Sequence, residues 1–121
     1  QRTTVGKRVL VVDDEPSIVS ALVEVLQPAG YIAIGCSTGS QAVARARDLQ
    51  PDAIVLDIMM PEINGFDVLR LLKSEADTAH IPVIMLSVLD DRDKAMRLGA
   101  AEYVRKPFDK QVLLDNVRML V

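Results

Sequence analysis

Short apolar runs recur along the chain, and between them apolar residues return every three or four positions. Arg8 to Val12 is the first run and reads as a buried strand. Pro16 suits the first turn of a helix, with Asp14 or Glu15 near its cap, and Ile18, Leu22 and Val25 follow at helical spacing up to Pro28 and Gly30. Tyr31 to Cys36 is a second strand. Ser37 to Gly39 turns into a helix carrying Ala42, Val43, Ala46 and Leu49, which Pro51 stops. Ala53 to Leu56 is a third strand, ending at Asp57. After the loop Ile58 to Gly65 comes a helix with Phe66, Leu69 and Leu72. Pro82 to Leu86 is a fourth strand, ending at Ser87. Asp90 to Leu98 is a short helix closed by Gly99, which suits a left-handed cap. Ala101 to Arg105 is a fifth strand, running into Lys106 and Pro107. Asp109 can cap the last helix, with Phe108 stapled onto Leu113.

Strand and helix alternate five times. That alternation predicts an α/β fold, a single parallel sheet with helices on both faces. The chain has 121 residues, the size of one domain. Half of them are hydrophobic but only 3% are aromatic, so the core must be aliphatic. Residues 1–7 are polar and read as a linker or tail; residues 8–121 form the domain. The start at Gln1 suggests an excised domain or a processed chain.

Charge and composition narrow the function. A net charge of −3 argues against direct nucleic-acid binding and against an anionic membrane as main partner. No apolar run approaches membrane-span length and no signal peptide is visible. Cys36 has no partner for an internal disulfide, which fits a reducing, cytoplasmic compartment. Read alone, Cys36 is a small core residue, Met59 and Met60 are packing residues, and His80 is an exposed loop residue.

The chemistry-bearing residues follow the strands. The first strand ends in Asp13 and Asp14, the third in Asp57, the fourth in Ser87 and the fifth in Lys106. Each residue alone has an ordinary reading as a cap, a turn or a solvated lysine. Together they occupy the carboxyl ends of strands, where open α/β sheets bind ligands. Carboxylates gathered at one site need a cation or raised pKa values. A hard divalent ion, Mg²⁺ above all, fits oxygen ligands shared with phosphate. Three acids, a metal, a lysine and a hydroxyl suit phosphoryl transfer, with an aspartate as nucleophile.

The motifs "VLVVDDEP", "IVLDIMMPEINGFD", "VIMLS" and "YVRKPF" occur in the order and spacing of the receiver domains of bacterial two-component response regulators. The chain resembles that family from Lys7 to Leu120. The resemblance implies a flavodoxin-like sheet of strand order 2-1-3-4-5 flanked by five helices. It implies Asp57 as acceptor of a phosphoryl group from a histidine kinase or histidine phosphotransfer protein. Mg²⁺ would be held by Asp14, Asp57 and the backbone carbonyl of Met59, with Asp13 helping directly or through water. Ser87 would bond a phosphoryl oxygen and Lys106 would bridge it. The resemblance also implies a cis Lys106–Pro107 bond. Tyr103 would swing inward on activation, altering the face made by the fourth helix, fifth strand and fifth helix that meets an output domain or downstream protein. A homodimer stays open. By the same resemblance, Met59 and Leu89 flank the approach of a hydrolytic water, and Val88 narrows the entrance.

Two departures stand out. Nineteen positions separate Ser87 from Lys106 (106 − 87), short for the family, as in receivers of hybrid kinases and other multidomain chains. Val88 stands where the family usually has Ala or Gly. Three other functions compete. A pseudo-receiver would bind without phosphorylation, against which the intact acid, hydroxyl and lysine set argues. A flavin-binding protein would want a phosphate loop that "DDEPS" would repel. An aspartate phosphatase would want a D-x-D pattern after the first strand, which "VVDDEP" lacks.

Overall fold

The computed structural model describes residues 6–121, so most of the expected N-terminal tail lies outside the described residues. Five strands form one parallel sheet: β1 (Arg8–Val12), β2 (Ile32–Cys36), β3 (Ala53–Asp57), β4 (Val83–Ser87) and β5 (Glu102–Arg105). Five helices connect and cover them: α1 (Pro16–Leu26), α2 (Gly39–Leu49), α3 (Gly65–Ser74), α4 (Arg92–Arg97) and α5 (Lys110–Leu120). The strand order is β2-β1-β3-β4-β5, as the family resemblance implied. The order reverses between β1 and β3, so the crevice at the carboxyl ends of these two strands is the switch point of the fold.

Strand alternation sorts the aliphatic residues into two cores. Leu10, Val12, Ile54, Leu56, Val83, Met85 and Tyr103 pack on one face with Ala42, Phe66, Leu69 and Ala95 from α2, α3 and α4. Val9, Val11, Ala53, Val55, Ile84, Leu86 and Val104 pack on the other with Leu22, Leu26, Leu113 and Val117 from α1 and α5. Burial on both sides explains why the central strands read as continuous apolar runs.

Three local features set the strand ends. Gly65 opens α3 so close to β3 that a Cβ there would overlap the backbone carbonyl of Asp57. Its N–H donates to the Ile58 carbonyl at 2.7 Å, and Asn64 caps the helix through Asp67 N–H. Gly99 adopts φ +106 after α4, the left-handed cap expected from sequence. Asp109 caps α5, its Oδ1 accepting from Gln111 and Val112 N–H.

Glu15 occupies the cap position of α1, as expected, but its side chain makes no capping hydrogen bond; Asp13 Oδ1 accepts the Glu15 N–H at 2.9 Å. Helix α4 is shorter than expected, because Asp90 and Asp91 remain in the preceding loop.

Candidate functional site

Alternation continues past the strand ends and decides which polar side chains meet. Val11, Val55 and Val104 face α1 and α5, so Asp13, Asp57 and Lys106, two residues further on, fall on that same side. Lys106 Nζ donates to Asp13 Oδ2 at 2.9 Å and to Asp57 Oδ1 at 3.1 Å. The Lys106–Pro107 bond is cis, as expected. Asp13 and Asp57 are buried, while Asp14 is more accessible. One carboxylate oxygen from each of the three acids lies within 4.8 Å of the others.

The charges do not balance. Burial pushes the Asp57 carboxyl above its ordinary value; the hydrogen bond from Lys106 opposes that, and the charge of Asp13 adds to it. For Lys106, burial disfavours the ammonium, but the hydrogen bonds to Asp13 and Asp57 outweigh it and its pKa is raised. One lysine faces three acids. This surplus of hard oxygen donors, close together and half-enclosed, fits a divalent cation such as Mg²⁺.

The other side of the sheet carries Ser87, Tyr103 and Arg105. All three hold the loop from Val88 to Asp91. Ser87 Oγ accepts the Leu89 N–H at 3.0 Å. The buried Tyr103 hydroxyl donates to the Leu89 carbonyl and accepts from Asp91 N–H at 3.1 Å. Arg105 Nη2 donates to the Val88 carbonyl at 3.1 Å. Tyr103 is thus already turned inward in this structure.

A cleft of about 530 Å³ leads to Asp57 and Lys106, walled by Ile18, Met59, Val88 and Pro107 with Glu15 at its rim. Met59 is 57% exposed and Val88 54%, so Met59 is not the packing residue that its neighbour Met60 is. Leu89 lines an adjacent apolar cleft with Ile58, Met60, Asn64 and Phe66. The expected pair of flanking residues is therefore split: Met59 borders both clefts, and Val88 rather than Leu89 faces Asp57. Cys36 is buried beside the site, its carbonyl accepting the Asp13 N–H at 3.1 Å, while His80 is exposed. Sequence reasoning missed Arg105; an exposed arginine beside a lysine carries no periodic signal.

A doubly wound sheet of order 2-1-3-4-5 with an acid–lysine crevice at its switch point defines a flavodoxin-like α/β domain whose ligand site lies at that crevice. Residues 9–118 match the family model described as response regulator receiver domain. The chain belongs to that family. It is 40% identical over 118 residues to the DNA-binding response regulator MtrA of Mycolicibacterium smegmatis, covering 95% of this chain and 50% of MtrA. The chain therefore spans about half the length of that relative. It is 36% identical over 117 residues to Protein PilH of Pseudomonas aeruginosa, covering 94% of this chain and 97% of PilH. Among solved structures, it resembles the receiver domain of the sensor histidine kinase PA1611 from Pseudomonas aeruginosa. The TM-score is 0.87 at 27% identity, covering 96% of this chain and 98% of that one. That structure holds a magnesium ion coordinated in its active-site cleft. Among the described residues, no helix is long and apolar enough to cross a membrane.

Proposed function

We propose that this receiver domain is a phosphoacceptor switch, modified on Asp57 by a phosphohistidine-bearing kinase or phosphotransfer protein in the cytoplasm. The observation that carries the reading is the buried Asp57 carboxylate, hydrogen-bonded to Lys106 and grouped with Asp13 and Asp14. The magnesium in the PA1611 receiver supports the same use of the crevice here. Asp14, Asp57 and the Met59 carbonyl would hold Mg²⁺, with Asp13 beside them. The ion would offset the charge of incoming phosphoryl oxygens.

The chain's own groups do the rest. An Asp57 carboxylate oxygen attacks phosphorus, the phosphorus–nitrogen bond of phosphohistidine breaks, and its electron pair stays on the imidazole, which takes up a proton. Lys106 orients the Asp57 carboxylate and then pairs with a phosphoryl oxygen. Ser87 donates its hydroxyl proton to another, which its bond to Leu89 N–H leaves free to do. Moving Ser87 disturbs the loop that Tyr103 and Arg105 hold, and so the face of α4, β5 and α5 that meets an output domain or downstream partner. A later water attack on phosphorus would release phosphate and restore Asp57; this self-catalysed turnover is the only enzyme-like activity we assign.

Intact-mass measurement after incubation with Mg²⁺ and a phosphohistidine donor tests the reading. Wild type should gain one acid-labile phosphoryl group and Asp57→Asn none. Equal labelling of both, or of neither, overturns it.

A further inference from the structure

We infer that Arg105 is a positioning residue. By holding the Val88 carbonyl, it keeps the Val88 side chain over the cleft to Asp57 and so restricts small phosphodonors and water. The inference rests on Asp57 being the acceptor.

The register places Arg105 directly opposite Ser87, the last residue of β4. Lys106 N–H donates to the Ser87 carbonyl at 2.8 Å, and beyond that bond the β4 chain leaves the sheet. Arg105 shares a face with Tyr103, two residues earlier. These two side chains hold consecutive carbonyls of the departing loop, Tyr103 that of Leu89 and Arg105 that of Val88.

Val88 needs such an anchor. Its side chain is half-exposed, so burial does little to fix it, yet it walls the cleft that contains Asp57 and Lys106. Arg105 Nη1 also lies 3.9 Å from Asp90 Oδ1 in the same loop. That exposed pair contributes little stability by itself. It orients the guanidinium, whose planar fork serves a carboxylate and a carbonyl at once, as a lysine ammonium does less well. Lys106 and Arg105, adjacent in sequence, thus divide the work: one faces the carboxylates, the other sets the wall beside them.

The test compares wild type, Arg105→Ala, Arg105→Lys, Val88→Ala and the double variant Arg105→Ala/Val88→Ala. Each is phosphorylated with acetyl phosphate, whose phosphorus–oxygen bond breaks to release acetate, and separately with a phosphohistidine protein. Intact mass reads both the labelling rate and the decay of the label. Arg105→Ala and Val88→Ala should each raise the acetyl phosphate rate roughly three- to tenfold, with faster decay. Arg105→Lys should fall between. The double variant should be no faster than Val88→Ala alone, because Arg105 acts through Val88. Protein-donor rates should change far less. Thermal unfolding checks that the variants fold, which the exposure of both side chains favours. Labelled wild type with an unchanged Arg105→Ala rate, or a double variant whose gain is the product of the single gains, overturns this inference alone. A wild type that takes no label from either donor overturns the acceptor reading and this inference with it.

Discussion

The carboxyl edge of the sheet holds two groups of polar side chains on opposite faces, secured by different physics. On the α1/α5 side, Asp13, Asp57 and Lys106 are nearly buried charges paired with one another. On the α4 side, Ser87, Tyr103 and Arg105 grip loop backbone through one or two hydrogen bonds each, beside the exposed Val88 and Leu89. Unpairing a buried charge costs about 3–5 kcal/mol, whereas exchanging one hydrogen bond nets about 1 kcal/mol. The first group is suited to fixed geometry for bond-making. The second is suited to rearrangement, because the loop can trade partners at small cost. The proposed switch would use both, and the sheet keeps them apart by alternation alone.

The comparison is broken most severely at Lys106. Lys106→Met leaves Asp13 and Asp57 without their common counter-charge. The metal-free protein should lose about 3 kcal/mol by urea denaturation at pH 7, and labelling of Asp57 should fall at least roughly a hundredfold. The pH dependence has a defined sign. Lys106 has a raised folded pKa, so its stabilisation is complete below the ordinary lysine value of 10.5 and is lost as pH rises through the higher folded value. Asp57, also raised, favours the folded state when protonated, and that contribution is lost as pH rises from the ordinary 3.8 through the folded value. The stability gap between wild type and Lys106→Met should therefore be widest around neutral pH and narrow at both ends, in acid as Asp57 takes up a proton in both proteins and in alkali as Lys106 loses its own. A gap that closes near neutrality contradicts the pairing.

Asp14 sharpens the contrast from within the charged group. Asp14→Ala should weaken Mg²⁺ binding by roughly tenfold or more in a calorimetric titration. Without metal it should raise Tm by about 3–6 °C, because one of three crowded charges is gone. Unchanged Mg²⁺ affinity would remove Asp14 from the site.

The smallest effect belongs to the other face. Tyr103→Phe removes the hydroxyl that bonds Leu89 and Asp91, at a cost of about 1 kcal/mol in denaturant unfolding. Labelling of Asp57 should stay within about threefold of wild type, since no charge in the crevice is touched. A loss as large as that from Lys106→Met would show that the two faces are not separable.

Sequence made much of this visible because period-two alternation and the apolar runs carry through to the strand ends. Asp57 and Ser87 close their strands where expected, and the apolar runs already brought Asp13, Asp57, Ser87 and Lys106 to one edge of the sheet, though they did not show the division of Ser87 from the others onto the opposite face. The loops were less legible. Local residue preference placed Glu15 at the α1 cap, as found, but did not show that Asp13 would accept the Glu15 N–H while also pairing with Lys106. Gln50 and Glu62 adopt positive φ with no glycine to announce it. The separation of Val88 from Leu89 into two clefts depends on the direction in which the chain leaves β4, which tertiary partners on β5 decide.

The bond between Lys106 and Asp13 joins positions 93 residues apart. A chain emerging from the ribosome presents its acids early and their counter-charge almost last. Until β5 docks, Asp13, Asp14 and Asp57 have only solvent and ions to screen them. Contacts of such sequence separation come late and at the full entropic cost of closing the loop between them. The crevice is thus complete only when nearly all of the domain has been made and folded, so an incomplete chain carries Asp57 without the lysine that pairs with it.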